Sequence, residues 1–348
     1  MIEIASKKIG LNHKPFVIAE MSGNHNQSLE RALEIVESVA GTGADAIKLQ
    51  TYTADTLTLD VSNGDFFIKD KNSLWEGRSL YDLYQEAYTP WEWHEPIMQR
   101  ANELGLICFS TPFDNSAVSF LEDLNVPAYK IASFENNHLP LIRKVASTGK
   151  PMIVSTGMAS LAEMDEMIQT ILDAGCNQFI LLKCTSTYPA SPKNSNVSTI
   201  SHMRSLFNCE VGLSDHTMGI GASIAAVSHG ATIIEKHFTL NRSDGGVDSA
   251  FSLEPTEMKS LVIETERAWQ SLGKITYGPT EAEKSSTVFR RSLYIAKDMK
   301  EGEVMSNENL RVVRPGMGLS PKYFETLLGK KVNRDLKKGT AVSWDILL

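Results

Sequence analysis

Eight short apolar, β-rich runs recur through the first 240 residues, and between them the apolar positions fall at helical spacing. The runs are PFVIAEMS from 15, AIKLQTY from 46, LICFSTPF from 106, AYKIAS from 128, PMIVSTG from 151, FILLKCT from 179, VGLSDH from 211 and TIIEKHF from 232. After the first, Leu29, Leu33, Val36 and Ala40 mark one helix face. After the fifth, Ser160 and Glu163 form a capping box ahead of Met164, Met167, Ile168 and Ile171, and Gly175 stops that helix. Pro140 and Pro255 sit where proline is tolerated, at the openings of the fourth and eighth helices; the face of the eighth is Met258, Leu261, Val262, Trp269 and Leu272. Eight strand and helix pairs predict an α/β fold of the (β/α)8 TIM-barrel type. A doubly wound sheet is the alternative, but no Gly-rich nucleotide fingerprint follows any strand.

One connection is far longer than a barrel requires. Residues 53–89 separate the second strand from a helix expected near Thr89 and Pro90, and Phe66, Phe67, Trp75, Tyr81 and Tyr84 give this insert too much apolar surface to lie in water. A lid or substrate wall is the expectation. Pro96 falls inside the expected helix, where it would remove a hydrogen bond. The barrel is expected to fill residues 1–280. EAEKSST at 281–287 reads as a polar linker, and residues 288–348 form a small β-rich tail with an internal repeat. In that repeat KDMKEGEVMSNENL aligns with RDLKKGTAVSWDIL, matching Asp298 with Asp335, Lys300 with Lys337, Gly302 with Gly339 and Ser306 with Ser343.

Composition narrows the class. The 348 residues carry a net charge of -8, which argues against nucleic acid or an anionic membrane as partner. No apolar run is long enough to span a bilayer and MIEIASKKIG lacks a signal peptide's apolar core, so a cytoplasmic protein is expected. Cys108, Cys176, Cys184 and Cys209 have neither metal-knuckle nor disulfide-framework spacing.

In a barrel, chemistry gathers at the C-terminal ends of the strands. The polar residues there are Glu20; Lys48 and Gln50; Ser110 and Thr111; Lys130 and Ser133; Ser155; Lys183, Ser186 and Tyr188; Ser214 and His216; Glu235 and His237. His216 and His237 end consecutive parallel strands, leave the same edge and stand close enough to share one ion. Lys48 and Lys130 lie in apolar strands, so they must meet acids such as Glu20 or Glu235, or an anionic ligand. With hydroxyls nearby, a phosphate or carboxylate pocket fits best. Lys183, as a buried amine, opens a second reading: a Schiff-base aldolase.

The runs FVIAEMSGNHNQSLERA, IKLQTYT, FSTPFD, YKIASFE, KCTSTYP, VGLSDHTMGI, EKHFTL and DSAFSLEP resemble the sialic acid synthase family over nearly the whole chain. The insert SLWEGRSLYDLYQEAYTPWEWH is most similar to that of its pseudaminic acid synthase branch, and the tail to its antifreeze-like (SAF) domain. Where many of these synthases have His and Asn around the CT of the sixth strand, this chain has Lys183 and Ser186. The resemblance implies condensation of phosphoenolpyruvate with an open-chain 2-acetamido aldose, giving a nonulosonic acid and phosphate. It also implies a divalent ion, manganese first and magnesium or cobalt as alternatives, held by His216 and His237. The phosphoenolpyruvate pocket would be Lys48, Thr111, Lys130, Ser133, Ser155, Ser186 and Ser214. Glu20, Gln50, Tyr188, Asp248, Phe289 and Arg314 would meet the sugar, Arg314 coming from the tail of a partner subunit in a homodimer. Glu20 either handles protons or holds a metal-bound water, and sialic and legionaminic acid synthases share the same chemistry.

Overall fold

The structure, a computed structural model, describes residues 2–71 and 73–348. Two compact units divide the chain, Met1–Gly273 and Lys274–Leu348. In the first, eight parallel strands close into a barrel: β3 (Phe16–Glu20), β4 (Ala46–Thr51), β5 (Ile107–Pro112), β6 (Tyr129–Ile131), β7 (Met152–Ser155), β8 (Phe179–Cys184), β9 (Glu210–Ser214) and β10 (Ile233–His237), with β10 pairing back onto β3. All eight coincide with the apolar runs. Alternation along each strand divides the barrel interior into two layers. Phe16, Ile18, Ala46, Phe109, Ile153, Ile180, Leu182 and Ile233 pack the lower one with Ile2, Ile4 and Ile9. Those three isoleucines belong to an antiparallel hairpin, β1 (Ile2–Ile4) and β2 (Lys7–Ile9), which plugs the bottom of the barrel. The sequence pattern missed this hairpin, since three-residue strands show almost no period. The polar strand ends are thereby left to form the upper layer.

Helices cover the outside. Among them are α1 (Leu29–Thr42), α4 (His94–Glu103), α5 (Asn115–Asp123), α6 (Leu139–Ala146), α7 (Leu161–Asp173), α8 (Thr199–Phe207), α9 (Gly221–Ser228) and α10 (Pro255–Leu272). Ser160 and Glu163 make the expected capping box on α7. In α1 the buried face is centred on Ala32, Ile35, Val36 and Val39 rather than on Leu29 and Leu33, and Leu272 of α10 is exposed. Pro96 poses no conflict, because Trp91–Trp93 form a separate 3-10 turn and α4 begins at His94. Pro96 therefore falls in the first helical turn, where its missing N–H has no partner to lose. Within the insert, α2 (Ala54–Leu57) and α3 (Leu80–Ala87) flank a strap pinned by a bridge between Phe67 and Ser79.

The second unit is built on β11 (Ser292–Ile295) and β12 (Leu310–Val313), an antiparallel pair over a core of Leu293, Ile295, Met299, Met305, Leu310, Leu327, Val332, Leu336, Val342 and Ile346. Its repeat is visible as reciprocal contacts: Lys300 Nζ meets Asp335 at 2.6 Å and Lys337 Nζ meets Asp298 at 2.8 Å. Each aspartate also accepts from a backbone N–H of the opposite copy, Glu301 to Asp335 and Lys338 to Asp298. Residues Glu281–Phe289, which include the polar linker read from sequence, form a 3-10 helix capped by Thr280 and Glu283. No helix among the described residues is long and apolar enough to cross a membrane.

Candidate active site

A cavity of about 490 Å³ opens at the C-terminal end of the barrel. Its floor is a buried charge lattice. Lys48 is ion-paired with Glu20, lies 3.9 Å from Glu235 and donates to Thr111 Oγ1 at 3.1 Å. Lys130 Nζ donates to Ser155 Oγ at 2.7 Å and stands 3.6 Å from Glu235. Both lysines therefore meet acids and also face the cavity, so the two readings of their burial hold together. Burial works against the Lys48 ammonium, but Glu20 and Glu235 outweigh it and hold the pKa above the ordinary lysine value. Burial lowers that of Lys130. Burial also pushes Glu20 up to about 7 despite Lys48, whereas the two ammonium groups overcome burial at Glu235 and keep it ionised. The floor thus holds one acid charged and one poised near neutrality.

Hydroxyls surround this floor. Ser133, Ser155, Ser186 and Ser214 line the cavity, and the Gly157 N–H donates to Ser133 Oγ at 3.2 Å. A Cβ at Gly157 would overlap both Ser133 and Ser186, so only glycine lets the two serines close around that backbone. Two ammonium groups with convergent hydroxyls make a site for a phosphate or carboxylate.

His216 and His237 stand side by side, ring centroids 5.3 Å apart. β9 ends at Ser214, so His216 lies in the turn beyond it rather than on the strand. Its Nδ1 is 3.0 Å from the Thr185 carbonyl, which fixes a proton there and leaves Nε2 free. His237 is held neutral chiefly by burial, with the ammonium of Lys48 acting in the same direction. Its Nδ1 is buried with no hydrogen-bond partner among the described residues, and Asp248 Oδ2 lies 3.7 Å away. Among the described residues no cluster of three or more His, Cys, Asp or Glu encloses a metal position. Two imidazoles with an orphaned buried nitrogen fit a divalent ion, which would have most of its coordination sites left for substrate and water.

The roof comes from the insert. Leu57, Ile68, Trp75, Leu80, Leu83 and Tyr84 line the cavity with Phe113, while Phe66, Phe67 and Tyr81 do not. Trp75 spans two loops: its ring lies 5.8 Å from Tyr188 and its Nε1 donates to the Val247 carbonyl at 3.0 Å, next to Asp248. Asp248 is hydrogen-bonded to Ser22, and Tyr188 packs on His216 at 4.5 Å.

Of the residues proposed from sequence, Lys48, Gln50, Lys130, Ser133, Ser155, Ser186, Tyr188, Ser214, His216, His237 and Asp248 all line this one cavity, with Glu20 and Thr111 in contact with Lys48. Phe289 and Arg314 are exposed on the second unit. Lys183 alternates to the outside of β8, donates to the Cys184 carbonyl at 2.8 Å and does not line the cavity, which removes the Schiff-base reading. Sequence reasoning overlooked Tyr52, Cys184 and Glu135. Glu135, two residues past Ser133, has one buried carboxyl oxygen with no hydrogen-bond partner among the described residues, and burial lifts its pKa to about 7. Its place just beyond a strand's C-terminal end was the available signal.

The sequence profile of the NeuB family matches residues 35–277, and that of the SAF domain matches residues 290–348. Over 329 residues the chain is 45% identical to pseudaminic acid synthase of Campylobacter jejuni, covering 94% of this chain and 95% of that protein. It is 36% identical over 336 residues to N,N'-diacetyllegionaminic acid synthase of Legionella pneumophila, covering 95% and 94%. The crystal structure of N-acetylneuraminic acid (sialic acid) synthetase from Leptospira borgpetersenii, in complex with citrate, is similar at a TM-score of 0.74 and 31% identity, covering 82% of this chain and 94% of that one.

Proposed function

The chain belongs to the NeuB family, and from that membership and the chemistry of its cavity we propose that it condenses phosphoenolpyruvate with 2,4-diacetamido-2,4,6-trideoxy-L-altrose and water, giving pseudaminic acid and phosphate. One observation carries the choice of a neutral, methyl-bearing sugar: the cavity has two unlike ends. Among the described residues lining it, Lys48 and Lys130 are the only ammonium or guanidinium groups, and both lie on the floor. The opposite wall of leucine, isoleucine and aromatic side chains suits methyl-bearing substituents and gives no counter-charge to a phosphorylated sugar. Legionaminate and N-acetylneuraminate synthesis use the same chemistry and are the alternative products.

Phosphoenolpyruvate would lie on the floor, its anionic groups against Lys48, Lys130, Ser133, Ser155, Ser186 and Ser214. Gln50, Tyr188 and Asp248 would orient the aldose so that its aldehyde carbon faces carbon three of the enol. His216 and His237 would hold a divalent ion, manganese in our reading, which would supply Lewis acidity to the aldehyde. Carbon three forms the new carbon–carbon bond, the aldehyde oxygen takes a proton, and water adds to the cationic carbon two with loss of a proton. Collapse of that adduct turns the added hydroxyl into the carbonyl at carbon two, its proton leaving with the phosphate as the bond from carbon two to the phosphate oxygen breaks. Glu20, ion-paired with Lys48 and raised by burial to a pKa of about 7, would either handle these protons or hold a metal-bound water. The proposal includes a cytoplasmic homodimer in which Arg314 of the second subunit's tail, together with Phe289, completes the sugar site; the exposure of both residues supports it.

The test is phosphate release from phosphoenolpyruvate against a panel of 6-deoxy and 6-hydroxy acetamido aldoses, with and without chelator. The diacetamido trideoxy altrose should turn over best, and only with a divalent ion present. Faster turnover of N-acetylmannosamine would assign the chain to the sialic acid branch.

A further inference from the structure

Between the inward-facing residues at the ends of β9 and β10 lie two charged residues that the proposed reaction does not use. Asp215 separates Ser214 from His216, and Lys236 separates Glu235 from His237. They meet 3.0 Å apart with side chains 2% and 1% exposed. Lys236 Nζ also donates to the carbonyls of Thr217 at 2.6 Å and Gly219 at 2.8 Å. Asp215 accepts in addition from the Thr217 N–H at 2.9 Å and from the Ser223 hydroxyl of α9 at 2.6 Å. All three donors of the ammonium are thus committed to the single turn, 215–219, that carries His216.

Strand pairing explains why such a clamp has work to do there. The register between β9 and β10 stops at Ile234 with Leu213 and Glu235 with Ser214, followed by one bond from the Asp215 N–H to the Glu235 carbonyl. The histidines come one residue later. At their level the ammonium, attached to the residue before His237 and bonded to the turn that holds His216, ties the two strand ends together. A buried ion pair adds little net stability over apolar packing of the same shape, but it can fix a register.

We propose that Lys236, acting through Asp215 and the 215–219 turn, is the positioning residue that sets the separation of His216 and His237 and hence their affinity for a divalent ion. The proposal rests on the reading of the two histidines as metal ligands. Manganese binding to the purified full-length chain, measured by electron paramagnetic resonance well below the melting temperature, tests it. Lys236→Met should weaken manganese binding at least about tenfold, the scale of losing a partner that orients a ligand. Leu121→Ala, a core truncation in α5, serves as the destabilised control and should bind as the wild type does. Ser223→Ala removes only one bond to Asp215 and should weaken binding about two- to fivefold, the scale of one net hydrogen bond, deciding the matter if Lys236→Met fails to fold. A dissociation constant within about twofold of wild type in folded Lys236→Met, or in Ser223→Ala where only that variant folds, would overturn the positioning role. Wild-type protein that binds no manganese and turns over fully in chelator would instead remove the metal reading beneath it.

Discussion

Replacing Glu135 by glutamine should make the protein more stable at alkaline pH while leaving it unchanged near pH 4. The carboxyl has one buried oxygen with no hydrogen-bond partner among the described residues, and burial raises its pKa from 4.5 to about 7. The folded chain therefore holds a proton that the unfolded chain has released between these values. Stability contributed by this group is complete below about pH 4.5 and declines as pH rises through 7. A shift from 4.5 to about 7 corresponds to roughly 3 kcal/mol at full effect. Because the side chain is only partly shielded, we halve this to about 1.5 kcal/mol. Spread over a barrel of this size, that is about 3 °C in melting temperature. The assay is thermal unfolding of wild type and Glu135→Gln from pH 4.5 to 8.5, followed by circular dichroism. The difference between the two should grow from near zero to about 3 °C in favour of the variant, most of it between pH 5.5 and 7.5. A constant difference across that range, or a variant less stable at pH 8, would refute the reasoning.

Lys183→Met should keep most phosphate release, and borohydride with pyruvate should trap no adduct, because the amine lies outside the cavity. Trp75→Ala should raise KM for the acetamido aldose about tenfold or more while changing KM for phosphoenolpyruvate less than about twofold, as removal of a half-buried aromatic wall costs on the order of 1–3 kcal/mol at the sugar end alone. Equal effects on both substrates would count against a sugar wall. Mixing inactive His237→Ala with inactive Arg314→Ala protein should restore activity as subunits exchange, since one mixed site is intact; exchange seen by mass without recovered activity would put Arg314 outside the partner's site.

Much of this molecule was decided locally and could be read without a structure. Eight apolar runs alternating with helical segments specify a closed barrel, because each strand must be covered by the helix that follows it. The strand alternation that buries Phe16 and Ile18 also directs Glu20 inward, and the same rule placed Lys48, Gln50, Ser155, His237 and most of the cavity's polar lining. The duplicated tail showed its repeat through matched aspartates and lysines, while the pairing of each lysine with the aspartate of the other copy came only from the fold. Other features needed chains distant in sequence to be brought together. The hairpin Ile2–Ile9 carries too few residues to show a period, and only the hole at the barrel's bottom makes it a plug. Nothing in the order of residues says that Trp75 rather than Tyr81 faces the cavity, since that depends on how the strap folds back and reaches Val247. Lys183 looked like a catalytic amine until the phase of β8 turned it outward. No sequence pattern singled out Lys236, whose acceptors lie between 17 and 21 residues away in the turn that follows β9. Local pattern sets which side of an element a residue occupies; what it meets there is settled only when the barrel closes.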